Sequence, residues 1–141
     1  MTKPKKVARR IGQVAPVSAS IDPVKHIVTL RFMGDTSYAD WEAVMDAVLA
    51  NVEYVVGMCV LSDRRQADNV PSSRHIHDLV GYLIRNAPSF SGCGVAIVAV
   101  SAADFGMGRM AEILAEETGV QLRAFRTPEK ALAWLAAAHP R

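Results

Sequence analysis

Residues 94–138 read GVAIVAVSAADFGMGRMAEILAEETGVQLRAFRTPEKALAWLAAA. Gly94 to Val100 is the most strand-like run in the chain, uncharged and rich in branched aliphatics. The period then changes: Asp104 to Thr118 reads as a helix with Met110, Ile113 and Leu114 inward, and Gly119 stands where a left-handed residue would end it. Val120 to Phe125 is a further strand. Thr127-Pro128-Glu129 supplies an N-cap, a proline at the first helical position and an acid in the first turn. A last helix follows over Ala131 to Ala138, with Leu132 and Leu135 inward and Trp134 on the flank of the stripe.

The pattern extends towards the N-terminus. Val55 to Leu61 is a continuous apolar run of strand length that closes on Ser62-Asp63-Arg64-Arg65. After a polar loop, Pro71-Ser72-Ser73 opens a helix whose stripe is Ile76, Leu79, Val80, Leu83 and Ile84 and which stops before Pro88. Earlier still, Thr36 or Ser37 can cap a helix with Trp41, Val44, Met45, Val48 and Leu49 on one side. Val17 to Asp22 and His26 to Met33 form a hairpin across a turn that Pro23 presets. The order ββαβαβαβα predicts an α/β fold with a mostly parallel sheet, an antiparallel first strand and right-handed crossovers.

The chain has 141 residues, 50% of them hydrophobic and 21% charged, enough for one domain with a sizeable core. Its formal net charge is only +2. Lys3, Lys5, Lys6, Arg9 and Arg10 all precede the first acid, Asp22, so residues 1–13 read as a flexible basic tail and residues 14–141 as a single, mildly acidic domain. That tail lacks interleaved aromatics, and no nucleic-acid contact is expected. Cys59 and Cys93 have apolar or small neighbours and no paired spacing, which suits buried thiols in a reducing compartment. No apolar run approaches the roughly 20 residues of a membrane helix, and none follows the basic start as in a signal peptide. A cytoplasmic protein is expected.

Three phrases carry a resemblance to a known superfamily: the third strand closing on Ser62-Asp63-Arg64, Phe105 to Met110 at the third helix, and the ending Phe125 to Leu135 with its Ala-Trp-Leu turn. Over about residues 17–137 the chain resembles the SpoIIAA-like superfamily, the STAS domains of anti-sigma-factor antagonists together with SEC14-like lipid-binding domains. The resemblance implies a serine at the start of the second helix that a partner kinase phosphorylates. Here that start reads Val70-Pro71-Ser72-Ser73-Arg74-His75 and departs from the Asp-Ser-Ser-Gly pattern, with Asp63 several residues upstream. A phosphoryl group there would meet free N–H groups and Arg74. The plain reading is that Ser72 or Ser73 is an N-cap.

Other motifs lack the context their chemistry needs. Asp104-Phe105-Gly106 copies a kinase tripeptide without the other kinase elements. Gly106-x-Gly108-x-x-Ala111 matches a dinucleotide fingerprint but follows the fourth strand with Ser101 to Phe105 between, so close packing is the better role for its glycines. His75 and His77 point apart on a helix, and His75 with Asp78 makes only two ligands, with His26 and His139 unplaced. No serine elbow or activated cysteine appears. No cofactor or metal is expected. Asp63, Arg64 and His75 are the groups whose meeting around one pocket would argue for catalysis.

These features lead to a non-catalytic binding or regulatory domain. Asp63, Arg64, Ser72, Ser73 and Arg74 are its candidate surface for an anti-sigma-factor-like kinase or other protein partner. The alternative is a carrier of a lipid or other apolar ligand. The resemblance implies a strand order that advances in one direction, so that right-handed crossovers put their helices on one face, whereas the third and fourth strands are apolar on both. A second chain in a homodimer, or failing that an apolar ligand, is therefore expected to complete the cover.

Overall fold

The computed structural model describes residues 16–92 and 94–138. The basic tail of residues 1–13, Cys93 and His139 lie outside them. Two strands come first, β1 (Val17–Asp22) and β2 (Ile27–Gly34), followed by helix α1 (Tyr38–Ala50), strand β3 (Cys59–Ala67) and helix α2 (Ser73–Arg85). A short turn of 3-10 helix leads to β4 (Gly94–Val98) and α3 (Ala102–Ala115), and another leads to β5 (Gln121–Phe125) and α4 (Pro128–Ala138). β1 is antiparallel to β2 and the remaining pairs are parallel, in the spatial order β1-β2-β3-β4-β5.

Local chemistry sets the boundaries. In the β1–β2 turn, the Asp22 carboxylate accepts from the N–H groups of Val24 and Lys25, both at 3.0 Å. Ser37, not Thr36, caps α1, in a reciprocal box with Asp40. Thr127 caps α4 ahead of Pro128, accepting from Lys130 N–H at 3.2 Å. Gly119, at φ +83°, ends the helical stretch that includes α3, in a region a side chain disfavours.

A strand order that advances in one direction, joined by right-handed crossovers, puts α1, α2 and α3 on one face of the sheet. There Trp41, Val44, Met45, Ile76, Val80 and Leu83 pack on the inward residues of β1 to β5. Helix α4 takes the other face, where Ala131 and Leu135 bury against Cys59, Leu61, Ala96 and Val98.

Four expectations are corrected. The third strand begins at Cys59 and runs through Ala67; Val55 and Val56 precede it and are exposed. β3 continues through its charged residues because β2 remains beside it, pairing as far as Gly34 with Ala67. In α3, Ile113 points to solvent and the buried stripe is Asp104, Gly108, Ala111 and Ala115. A small-residue stripe lets the helix lie close to the sheet: a Cβ on Gly108 would stand 2.9 Å from the Cβ of Ala124. In α2, Ile84 is exposed while His75 and Tyr82 are buried; the Tyr82 hydroxyl donates to Asp46 at 2.6 Å and its ring meets Trp41 edge-on.

The last correction concerns α4, where Leu132, expected inward beside Leu135, is exposed. On the second face of the sheet, β1 and β2 carry Ser18, Ser20, Thr29 and Arg31 together with partly buried Ile27 and exposed Met33, and α4 covers the apolar part over β3 and β4.

Candidate functional site

Strand alternation separates two residues that are adjacent in sequence. Successive side chains of β3 point to opposite faces, so Ser62 and Arg64 turn under the helices while Asp63 and Arg65 turn outwards. Asp63 accepts from the Arg65 side chain at 2.9 and 2.8 Å and from the Arg65 N–H at 3.1 Å, and the side-chain pairing above all holds its carboxyl below the usual range.

Arg64 is 7% exposed. Its Nε donates to both carboxylate oxygens of Asp104 at 3.0 and 3.2 Å, and its Nη2 donates to the Asn69 carbonyl at 2.8 Å. The guanidinium also stands 4.9 Å from the centre of the Phe32 ring. Asn69 is clamped in turn to the loop after β2, accepting from Thr36 N–H at 2.9 Å and donating to the Thr36 carbonyl at 2.8 Å. Asp104 enters from the first turn of α3, which Ser101 caps, a position the helix dipole favours for an acid. Loops and helix start thus fix the ion pair before anything binds.

Beside this pair, at the carboxyl ends of β3 and β4, α2 and α3 border a narrow cleft with about 30 Å³ of enclosed space. Its apolar wall includes Phe32, Trp41, Ile76, Leu79 and Ile97, and its polar groups are Ser62, Arg64, His75 and Asp104. His75 is 9% exposed and meets Tyr38 edge-on. Burial first, and Arg64's charge second, hold its imidazole below the ordinary value, against a weaker opposing pull from Asp78. Neither ring nitrogen of His75 has a hydrogen-bond partner among the described residues.

Ser62, His75 and Asp104 are the residue types of a nucleophile, base and orienting acid, and they line one cleft. Among the described residues, no hydrogen bond joins His75 to Ser62 or to Asp104, whose carboxylate goes to Arg64. Nor does any group of three metal-ligating side chains occur among them.

At the start of α2, Ser72 is the N-cap, its hydroxyl accepting from His75 N–H at 3.0 Å. Ser73 occupies the first helical turn and is exposed. Arg74 pairs along the helix with Asp78 at 3.2 Å and does not reach either serine's hydroxyl. The structure therefore brings Arg64 together with His75 and Asp104, leaves Ser72, Ser73 and Arg74 on the rim, and turns Asp63 away.

Asp104 was missed as a site residue, and His75, weighed only in a cluster with Asp63 and Arg64, meets Arg64 without Asp63. His75 precedes Leu79 by one helical repeat, a spacing that marks a residue on the apolar flank. Asp104 falls three residues after a capping serine, the position of a first-turn acid.

No family model and no curated protein matches the chain. A solved structure of an uncharacterized protein from the DUF3478 family with a SpoIIAA-like fold, from Shewanella loihica PV-4, is similar to it with a TM-score of 0.59 at 17% identity, covering 86% of this chain and 94% of that one. The fold is SpoIIAA-like. At this identity the likeness speaks for the SpoIIAA-like architecture alone and assigns no residue a role. No described helix is long and apolar enough to cross a membrane.

Proposed function

We propose that this SpoIIAA-like chain is a non-catalytic binding domain that works through the carboxyl edge of its parallel strands. The observation that carries this reading is convergence: the cleft with Arg64 and His75, the exposed Ser73 and Arg74, and the exposed apolar Val70 and Val100 all belong to that edge. Asp104 is committed to Arg64 and His75 lacks an orienting partner, which supports binding over catalysis.

In the first form of this reading the partner is a protein that docks over the α2 start and modifies Ser73. Ser73 fits the role better than Ser72, whose oxygen already caps the helix, and a phosphoryl group on it would lie near unpaired first-turn N–H groups. Incubation with a panel of kinase-type anti-sigma factors and ATP tests this. A stable complex or a phosphoserine at Ser73 is expected; an unmodified, uncomplexed chain across the panel would overturn it.

The cleft favours a second reading, a carrier of a small apolar ligand. Its wall is largely apolar, but its enclosed space is only about 30 Å³, far below the roughly 300 to 1,000 Å³ of small-molecule pockets, so a ligand of that size has to open it. Native mass spectrometry of protein purified from its host should show a retained small-molecule mass, and only the bare chain if this reading is wrong.

A further inference from the structure

We propose that the outer edge of β5 receives an extended segment of a partner protein, one in which basic side chains alternate with apolar ones. This contact lies at the amino end of β5, away from the cleft, and stands whether or not the carboxyl edge binds. β5 is a terminal strand of the sheet. The Phe125 carbonyl accepts from Ala99 N–H at 2.9 Å, and alternation then commits the backbones of Gln121, Arg123 and Phe125 to β4. The N–H and C=O groups of Leu122 and Ala124 face the other way, and no partner meets them among the described residues. Those are the groups that an added strand takes up.

Along that edge runs an open groove of about 400 Å³. Its α3 wall carries Glu112 and Glu116, its α4 wall carries Trp134, and Leu122 and Arg123 lie on the strand between them. Gly119, at φ +83°, turns the chain into β5 without adding a side chain to the groove.

Charge selects the segment. Glu112 pairs with Arg109 at 2.6 Å and, across the edge, with Arg123 at 3.8 Å, whereas the exposed Glu116 has no ion pair among the described residues. In an added strand successive side chains alternate between the two faces. Those opposite Leu122 and Ala124 emerge on the α3 side beside Glu112 and Glu116, where Lys or Arg fits. Those between them emerge on the α4 side beside Trp134 and Arg123, where an apolar residue fits and a basic one is repelled. A second copy is the poorer occupant. Two-fold antiparallel pairing through Leu122 and Ala124 would centre on Arg123 and set two Arg123 side chains face to face.

Amide chemical-shift mapping of the full chain with a capped Lys-Val-Lys-Val-Lys peptide tests the proposal. Saturable shifts over residues 119–124, with slowed hydrogen exchange at the N–H groups of Leu122 and Ala124, are expected; no binding would overturn it. The same peptide Nα-methylated at its lysines keeps every charge and loses the donors that face β5, so it should bind about ten-fold more weakly. Equal binding of the two peptides would overturn strand addition. Glu112→Gln with Glu116→Gln should weaken the peptide about five-fold, and Arg123→Gln should leave it as tight or tighter; the reverse ranking would overturn the placing of the basic side chains. A concentration-dependent dimer that protects the same two amides without peptide would make the occupant a second copy and overturn the assignment to a basic partner.

Discussion

Asp63 and Arg64 are consecutive in sequence and face opposite sides of β3, and this single step of strand parity decides which of them belongs to the site. Arg64 and Asp104 are each less than a tenth exposed, so removing one partner strands a buried charge. Arg64→Met is expected to destabilise the chain by about 3–5 kcal/mol in chemical denaturation, and Arg64→Met with Asp104→Leu to recover most of that loss. Equal losses in the single and double variants would show that the pair is not coupled. His75 adds a pH dependence. Its native imidazole is held below the ordinary 6.5 by burial and by Arg64, so the unfolded chain accepts a proton that the native state refuses. Stability from this source is intact above that value and falls as the pH drops through and below it. His75→Phe should flatten the stability profile between about pH 6.5 and 5; a profile parallel to that of the unaltered chain would contradict the assignment.

At the scale of elements, α3 shows where reading by bulk fails. Its largest aliphatic, Ile113, is exposed, and the face against the sheet is built of Gly108, Ala111 and Ala115 because proximity to β5 leaves no room for more. Gly108→Val should therefore cost at least about 1–3 kcal/mol by overpacking against Ala124, whereas Ile113→Ser should change stability by less than about 0.5 kcal/mol. Thermal melts of the two variants decide this, and the reverse ranking would mean that the helix is rotated. The elements themselves were legible, since caps, turns and hydrophobic periods are local signals: Thr127-Pro128-Glu129 marks a helix start in any context. The extent of β3 was not legible, because a strand continues through charged residues when a neighbour supplies hydrogen bonds, and that neighbour, β2, is about thirty residues away.

For the whole molecule, the strand order that advances in one direction was legible only through the superfamily resemblance, and crossover handedness then sets α1, α2 and α3 on one face. Helix α4 closes the second face over β3 and β4, where Leu135 is 1% exposed against Cys59, Leu61, Ala96 and Val98. Leu135→Ala should cost about 2–5 kcal/mol and expose apolar surface to a reporter dye, while a loss below about 1 kcal/mol would show that α4 is not the cover. The site was less legible than the fold because it depends on Arg64, His75 and Asp104 from three elements, and no local spacing links them. An NMR titration of the His75 imidazole reads all of this at once. Arg64 from β3, Asp78 on its own helix, Asp104 from α3 and the edge of Tyr38 from α1 set its surroundings. His75 should titrate below 6.5; a ring that titrates at its ordinary value would contradict the placing of His75 in a buried cleft beside Arg64.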